Sequence, residues 1–198
     1  SVHPDDKVGL AMKVCDEIMG KDERIISAGS SYNDGDNFRY MVASNGFEGE
    51  ASNTFFSLVG TVSIRGEGDA RPESYWFDSS LYYDTLIKEG IGTKALERVR
   101  RKLGQRKIAS ARMPMVVDFL SSARLLSPVI NALYGSSIQQ KNSFLLDKLN
   151  QKTLGEKMTL TDEPHLLRSS GARYFDSEGI ATQQRKVFDQ GILQTYYI

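Results

Sequence analysis

The spacing of apolar residues predicts a helix followed by a β-sheet in the first third of the chain. Over residues 5–19, apolar side chains recur every three to four positions, which is the period of an amphipathic helix. Residues 25–66 run through segments rich in β-branched and aromatic side chains, which favour an antiparallel meander of three or four strands. Asn45-Gly46 separates two of these segments and is a dipeptide that tight hairpin turns prefer. The acidic segment 31–37 is predicted to be a solvated turn, because it lacks the ligand spacing of a calcium loop.

Helical and strand patterns alternate through the remainder of the chain. Residues 93–103 predict a second helix with one apolar face. Residues 113–119 form an apolar run that indicates a short buried strand. This run leads into a predicted helix with apolar positions over residues 126–133, which stops at a glycine. Further on, residues 156–164 predict a strand that ends at a turn, and residues 185–198 predict a β-hairpin with a glycine in its turn.

The composition is that of an ordinary globular protein. The 198 residues carry no formal net charge at pH 7, and 40% of them are hydrophobic. This charge balance gives no general reason to expect a nucleic acid or a membrane partner. The apolar runs are far shorter than the roughly 20 residues that span a bilayer, and the single cysteine fits a reducing, cytoplasmic compartment. The sequence lacks an initiator methionine and stops inside a predicted strand, which indicates a fragment of a longer protein.

Residues that commonly carry chemistry are few and scattered along the chain. Cys15 lies on the apolar stripe of the first predicted helix, which favours packing over reactivity. The only histidines are His3 and His165. Together with Cys15 they do not form the pattern of a metal site or a hydrolytic triad. Asp176 and Glu178 lie two positions apart in a predicted strand or turn. They are either paired catalytic carboxylates, solvated side chains, or caps for backbone N–H groups, and the sequence leaves these alternatives open.

Two clusters raise the alternative of a nucleic-acid-binding protein. The only tryptophan, Trp76, has tyrosines and a phenylalanine nearby, and arginines precede it, a combination that can stack bases. Packing of these rings on the predicted sheet is the simpler interpretation. The basic cluster at residues 98–107 can bind phosphate, but cations at the end of a predicted helix also interact favourably with its dipole. The neutral overall charge favours the structural interpretation of both clusters.

The last stretch, YFDSEGIATQQRKVFDQGILQTYY, resembles the TldD/PmbA family, whose members are also called modulators of DNA gyrase. Family members carry a similar D-x-E-G-x-x-T segment followed by a hairpin with a glycine turn. SNGF, LGQRKIASARMPMVVDF and SFLLDKLNQKTLGEKMTLTDEP are also similar and occur in the same order, the last of them being most like the PmbA, or TldE, branch. The resemblance covers nearly the whole chain.

The resemblance implies an α+β fold, with an antiparallel sheet meander and flanking helices followed by the start of a β-rich protease-like domain. Residues 1–107 would form the α+β middle domain of the family. Residues 108–198 would form the truncated beginning of its C-terminal protease-like domain.

The resemblance also implies where a zinc site would lie. TldD-type members look like zinc proteases with H-E-x-x-x-H on a helix and a cysteine downstream, so that two imidazoles hold the metal and a glutamate activates its water. The first histidine position falls on Leu126, the glutamate on Ser127, the second histidine on Asn131 and the cysteine on Met158. Leucine cannot bind zinc, serine is no general base here, and asparagine and methionine are poor zinc ligands. We therefore expect no catalytic, cofactor-binding or metal-binding residue and no bound cofactor.

On this resemblance, the chain is a metal-free, PmbA/TldE-like subunit of a cytoplasmic metallopeptidase that processes or degrades peptides. The expected partner is a zinc-bearing TldD-like subunit or a second copy of the protein, and peptides would be captured by strand addition to a sheet edge. The link to DNA gyrase rests on the family name alone. Two alternatives stay open: an independently active peptidase that uses residues outside this sequence, and a gyrase modulator that faces nucleic acid through residues 98–107.

Overall fold

The computed structural model describes residues 2–197, and the chain divides into two compact units. The first unit contains the chain up to residue 109 and the short segment 168–170, and the second contains residues 110–167 and the chain from residue 171 onward. Each unit has hydrophobic clusters of its own. Helices are combined with strands whose pairing is antiparallel in both sheets, so the predicted α+β class is confirmed.

A three-stranded antiparallel sheet forms the centre of the first unit, with β2 in the middle. β-branched and aromatic side chains along the strands suit a pleated, half-buried surface. The buried side chains of the central strand include Leu58, Val62 and Ile64, which are all even-numbered and therefore point to the same face of the sheet. The strands are β1 (Ile25–Val42), β2 (Glu48–Ile64) and β3 (Glu73–Ser80).

The hairpin between β1 and β2 forms where the sequence predicts it. Asn45-Gly46 lies in the turn, Gly46 has a φ of 91°, and the Ala43 amide donates to the Phe47 carbonyl at 2.9 Å. The prediction of a solvated turn over residues 31–37 is wrong, because β1 continues through this segment and pairs with residues 53–59 of β2. Once the tight turn sets the register, the ladder extends through polar residues that would favour a loop on their own.

Two helices, α1 (Pro4–Asp16) and α2 (Ile91–Arg100), pack on the face of the sheet that carries the even-numbered residues. α1 contributes Val14 to the core, and Ile18 follows just after the helix. Cys15 is half-buried, and its thiol lies 3.3 Å from the hydroxyl of Ser30 on β1. The apolar residues of this helix thus divide between the core and an exposed side.

The carboxylate of Glu17 joins the end of α1 to the start of α2. One oxygen accepts the Gly90 amide at 2.8 Å, and the other accepts the amides of Gly92 at 2.8 Å and Thr93 at 3.3 Å. The first N–H groups of a helix have no partner within the helix, and the positive end of its dipole favours an anion. Glu17 therefore acts as the N-terminal cap of α2, which has no side-chain cap from its own N-cap residue.

The second unit combines two helices with a small antiparallel sheet in the order β4-β5-β6. Its core contains Leu133 from the first helix together with Val187 and Phe188 from the middle strand. The predicted hairpin near the end of the chain is confirmed, with Gln190 and Gly191 in its turn. The elements are α3 (Phe119–Leu133), α4 (Gly135–Gln139), β4 (Leu160–Asp162), β5 (Arg185–Asp189) and β6 (Ile192–Leu193).

The segment before α3 is not the buried strand that its apolar sequence predicts. Residues 109–118 have no regular secondary structure, and the side chains of Met115 and Val116 are 74% and 97% exposed. Within residues 2–197 no strand pairs with this segment, so its backbone gains no ladder hydrogen bonds. α3 begins directly after it, where the Asp118 carboxylate accepts the Leu120 amide at 2.9 Å. None of the helices in the described part of the chain is long and apolar enough to cross a membrane.

Candidate functional site

α3 and the segment that leads into β4 carry the four positions at which the family resemblance places a zinc site. Leu126, Ser127 and Asn131 lie on α3, and Met158 lies two residues before β4. The two elements share one hydrophobic cluster, in which Leu133 of α3 is buried and Leu160 of β4 packs against it. The second unit therefore brings the helix and the strand into one core.

Ser127, which the resemblance places at the glutamate position, forms a hydrogen bond within its own helix. Pro128 lies inside α3 and has no N–H group, so the carbonyl of Arg124 lacks its usual donor four residues later. The Ser127 hydroxyl donates to this carbonyl at 2.9 Å. This bond satisfies the group that the proline leaves unpaired and helps the helix to continue to Leu133. The hydroxyl thus serves the backbone, and its chemistry is not that of a general base.

Asn131 and Met158 are held mainly through their backbones. The Asn131 carbonyl accepts the Ser137 hydroxyl at 2.9 Å, which ties the end of α3 to α4. The Met158 carbonyl accepts the Gly191 amide at 2.8 Å, which holds the segment before β4 against the β5-β6 turn. Leu126 is half-buried, as an apolar residue on the inner side of the helix would be. The residues at these positions do not fit a zinc ion, because they supply neither an imidazole, a thiolate nor a carboxylate.

Each of the two histidines makes a local structural contact. The Nδ1 atom of His3 accepts the Asp5 amide at 3.3 Å and caps the start of α1. The Nε2 atom of His165 lies 3.2 Å from the hydroxyl oxygen of Thr182, which itself donates to the Arg173 carbonyl. Since Thr182 has one proton to donate, we assign the proton of this contact to His165 Nε2. Within residues 2–197, no three histidine, cysteine, aspartate or glutamate residues are grouped so that they could hold a metal ion.

Asp176 forms a turn, which is one of the three roles considered for it. Its Oδ1 atom accepts the backbone amides of Ile180 at 2.9 Å and Glu178 at 2.8 Å. These two hydrogen bonds hold the pKa of Asp176 below its ordinary value of 3.8, because they favour the charged carboxylate. A general acid near neutral pH needs the opposite shift. Asp176 therefore fits a structural role, and Glu178 enters this turn through its backbone.

Trp76 packs between the sheet and α2. It contacts the hydrophobic clusters of the first unit, and the Lys94 ammonium and the Arg98 guanidinium lie 5.2 Å and 5.3 Å from its ring centre. Arg100 donates to the Asp22 carboxylate at 2.8 Å. Side chains at the start of the basic cluster thus interact with groups of the protein itself, in agreement with the structural interpretation. Tyr75 lies on the opposite face of the sheet from Trp76, because neighbouring residues of a strand alternate.

One exposed feature was not singled out from the sequence. β3 pairs with β2 only from Phe56 to Ser63, so the outer part of the β1-β2 hairpin has two strands alone. We call this part, residues 36–54, the hairpin arm. Phe38, Tyr40 and Val42 are 69%, 54% and 66% exposed on it. Their spacing at every second position of a predicted strand is visible in the sequence and would have indicated a shared face.

Comparison with known proteins places both parts of the chain in one family. Residues 1–103 match the profile of the PmbA/TldA metallopeptidase central domain, and residues 110–198 match that of the PmbA/TldA metallopeptidase C-terminal domain. The metalloprotease PmbA homologue of Haemophilus influenzae is 31% identical over 196 residues, which are 98% of this chain and 43% of that protein. The metalloprotease PmbA of Escherichia coli is 27% identical over 198 residues, which are 100% of this chain and 44% of that protein.

Solved structures show the same fold. A crystal structure from Bacteroides thetaiotaomicron, of a protein named as a candidate modulator of DNA gyrase, matches with a TM-score of 0.97 and 61% identity over 100% of this chain and 45% of its own. TldE from Thermococcus kodakarensis matches with a TM-score of 0.78 over 99% of this chain and 44% of its own, and at 20% identity it supports the fold alone. This chain spans less than half the length of these relatives. It belongs to the PmbA/TldD family of metallopeptidases and contains matches to the central and C-terminal domains of that family.

Proposed function

We propose that this chain is part of a metal-free, PmbA/TldE-like subunit of a peptidase whose zinc is held by a TldD-like partner subunit. The observation that carries the proposal is that α3, the helix on which the resemblance places three of the four zinc-site positions, contains neither a histidine nor a glutamate. Leu126, Ser127 and Asn131 occupy α3, and Ser127 already donates its proton to the backbone at 2.9 Å. The relatives named metalloprotease PmbA support a role in proteolysis.

In this proposal the chain forms part of the wall of a chamber that binds peptides. The central sheet of the first unit has backbone groups on its outer strands that can accept an extended peptide. We infer that the chain consists of two domains, a middle domain over residues 1–107 and a protease-like domain from residue 108 onward. The compartment that we propose is the cytoplasm, because Cys15 is a free thiol.

The experiment is reconstitution of peptide cleavage from separately purified subunits. The intact protein is expected to leave unstructured peptides uncut, and a TldD-like subunit from the same organism is expected to cleave them only, or much faster, when the intact protein is added. A TldD-like subunit with its glutamate changed to glutamine is the matched control, since it keeps the partner surface and loses the base. Cleavage by the intact protein alone would instead support an independently active peptidase.

The nucleic-acid alternative is less well supported by the contacts. Arg98 lies over the ring of Trp76, and Arg100 is bound to Asp22. A DNA-binding role for residues 98–107 would predict affinity that falls steeply with salt concentration. Filter binding of duplex DNA at two salt concentrations measures this directly.

A further inference from the structure

The turn at the tip of the hairpin arm contains a chemically reactive pair of residues. A backbone nitrogen can attack the side-chain amide of the asparagine before it, and a glycine at the attacking position leaves the approach open because it has no Cβ atom. Among the asparagines of the chain, only Asn45 is followed by glycine. Asn45 and Gly46 are both exposed, so water and hydroxide can reach the pair.

The side chain of Asn45 is held against the backbone that follows it. Its Oδ1 atom accepts the Phe47 amide at 3.0 Å. A backbone amide can only donate, so the atom that faces Phe47 is the oxygen of the side-chain amide. Negative charge develops on this oxygen when a nucleophile adds to Cγ, and a donor that is already in place stabilises it. The Phe47 N–H group therefore favours addition at Cγ of Asn45.

One hydrogen bond of the turn opposes the reaction. The Gly46 amide donates to the Ala43 carbonyl at 3.0 Å, and this bond must break before the nitrogen can lose its proton and turn toward Cγ. The net contribution of one such bond corresponds to a rate about fivefold lower than in an unfolded chain. Loop tips open locally at little cost, whereas an asparagine inside a ladder or helix must break several backbone bonds. The turn thus slows the attack and does not prevent it.

We propose that Asn45 is a site of spontaneous deamidation in the folded protein, restrained but not blocked by its turn. The Gly46 nitrogen loses its proton to hydroxide and bonds to Cγ of Asn45. The Cγ–Nδ2 bond then breaks, and the side-chain nitrogen takes a proton from water and leaves as ammonia. Water adds to either carbonyl of the resulting cyclic imide and opens it to aspartate or isoaspartate. The net reaction consumes one water and releases one ammonia, with no oxidation or reduction.

The products change both the charge and the length of the turn. Each places a new carboxylate close in sequence to Glu48 and Glu50 at the start of β2. Isoaspartate also adds one carbon atom to the backbone, which displaces the pair of Ala43 and Phe47 next to the turn and with it the register of the arm. This inference is independent of the proposed peptidase role, because it involves neither zinc nor a bound peptide.

The first test follows the reaction by peptide mass spectrometry. The intact protein is incubated in mildly alkaline buffer, sampled over time and digested briefly with trypsin, and a sample taken at the start corrects for reaction during digestion. Cleavage after Arg39 and Arg65 gives one peptide, residues 40–65, that contains both Asn45 and Asn53. We expect deamidation at Asn45 to be at least about tenfold faster than at Asn53, which lies in the β1-β2 ladder. A protein isoaspartate methyltransferase should label the product.

The restraint by the turn is measured on a synthetic peptide of residues 40–50. Its Gly46 amide has no fixed acceptor, so Asn45 should react about fivefold faster in the peptide than in the protein.

The second test separates the turn from the dipeptide. Thr54→Gly gives Asn53 a following glycine while Asn53 stays opposite Asn37 in the ladder, and we expect it to react far more slowly than Asn45 in the same molecule. Asn45→Gln is the control and should abolish the reaction at this position, because a longer side chain would have to close a larger ring. Circular dichroism and Trp76 fluorescence verify that each variant is folded.

Three results would overturn the proposal. The first is an Asn45 that stays unmodified in the folded protein or reacts no faster than Asn53. The second is equal reaction at Asn45 and Asn53 in Thr54→Gly, which would remove the role of the turn. The third is a peptide that reacts no faster than the protein, which would remove the restraint by the Gly46 hydrogen bond.

Discussion

Replacing Glu17, the residue that follows α1, with alanine should destabilise the first unit more than replacing any carboxylate on α1 itself. The carboxylate accepts three amides at the start of α2, two of them at 2.8 Å. Loss of an N-terminal cap costs about 1 kcal/mol, and loss of an anion near the positive end of the helix dipole costs up to about 1 kcal/mol more. We therefore expect the free energy of unfolding to fall by about 2 kcal/mol. Glu17→Gln keeps one acceptor and should lose about half of that.

The assay is urea unfolding followed by tryptophan fluorescence. Trp76 is the only tryptophan, and it packs beneath α2 beside Lys94 and Arg98, so its emission reports on the unit that Glu17 stabilises. Glu67→Gln is the matched control, because it removes a carboxylate from an exposed loop of the same unit. A change below about 0.5 kcal/mol for Glu17→Ala would refute the capping role, since a lost cap alone costs at least that much.

Three other substitutions test local features of the fold. Gly191→Ala should destabilise the second unit by roughly 2–3 kcal/mol. Gly191 has a φ of 81°, and a Cβ atom there would lie 2.3 Å from the Leu154 carbonyl oxygen. Near-ultraviolet circular dichroism during unfolding measures the loss of stability. Ser127→Ala should cost about 1 kcal/mol in the same assay, because a carbonyl of α3 loses its donor. The pKa of Asp22 is held well below 3.8, chiefly by hydrogen bonds from Arg24. The stability that it adds is therefore present above about pH 4 and lost as the pH falls further, and the Trp76 transition of Asp22→Asn should vary less with pH in that range.

Elements with strong local signals are the ones that the sequence predicts well. The Asn45-Gly46 turn places its glycine at positive φ, and the turn at Gln190 and Gly191 places both residues at positive φ. Such signals depend on a few neighbouring residues, so they can be interpreted without knowledge of the remainder of the chain. The helices α1 and α2 are predictable for the same reason, because their apolar period is local.

The prediction of a turn over residues 31–37 is wrong because contacts with residues distant in sequence hold this segment in a strand. Lys7 of α1 bonds to the Asp34 carboxylate at 2.6 Å, and the ring of Phe55 lies over Gly35 on the neighbouring strand. An aromatic ring that covers a cross-strand glycine compensates for the missing side chain. Polar and glycine residues that favour a turn locally are thus held in a strand by β2 and α1.

The prediction of a buried strand over residues 113–119 is wrong for the opposite reason. Its apolar residues predict burial, but Val116 is almost completely exposed, and no strand within residues 2–197 pairs with it. Apolar composition indicates the environment that a segment needs, and it does not say which part of the molecule supplies it. The candidate site shows a similar limit: family resemblance gives the positions on α3, whereas the bond by which Ser127 compensates for Pro128 is seen only in the structure.

The zinc content of the intact protein tests the central claim most directly. The protein is purified without chelators, equilibrated with a slight excess of zinc, passed through a desalting column and analysed by plasma mass spectrometry. The account predicts far less than one zinc per chain, with no change in Asn131→Ala or Met158→Ala, because neither residue is a ligand. One tightly held zinc per chain that is lost in either variant would contradict it.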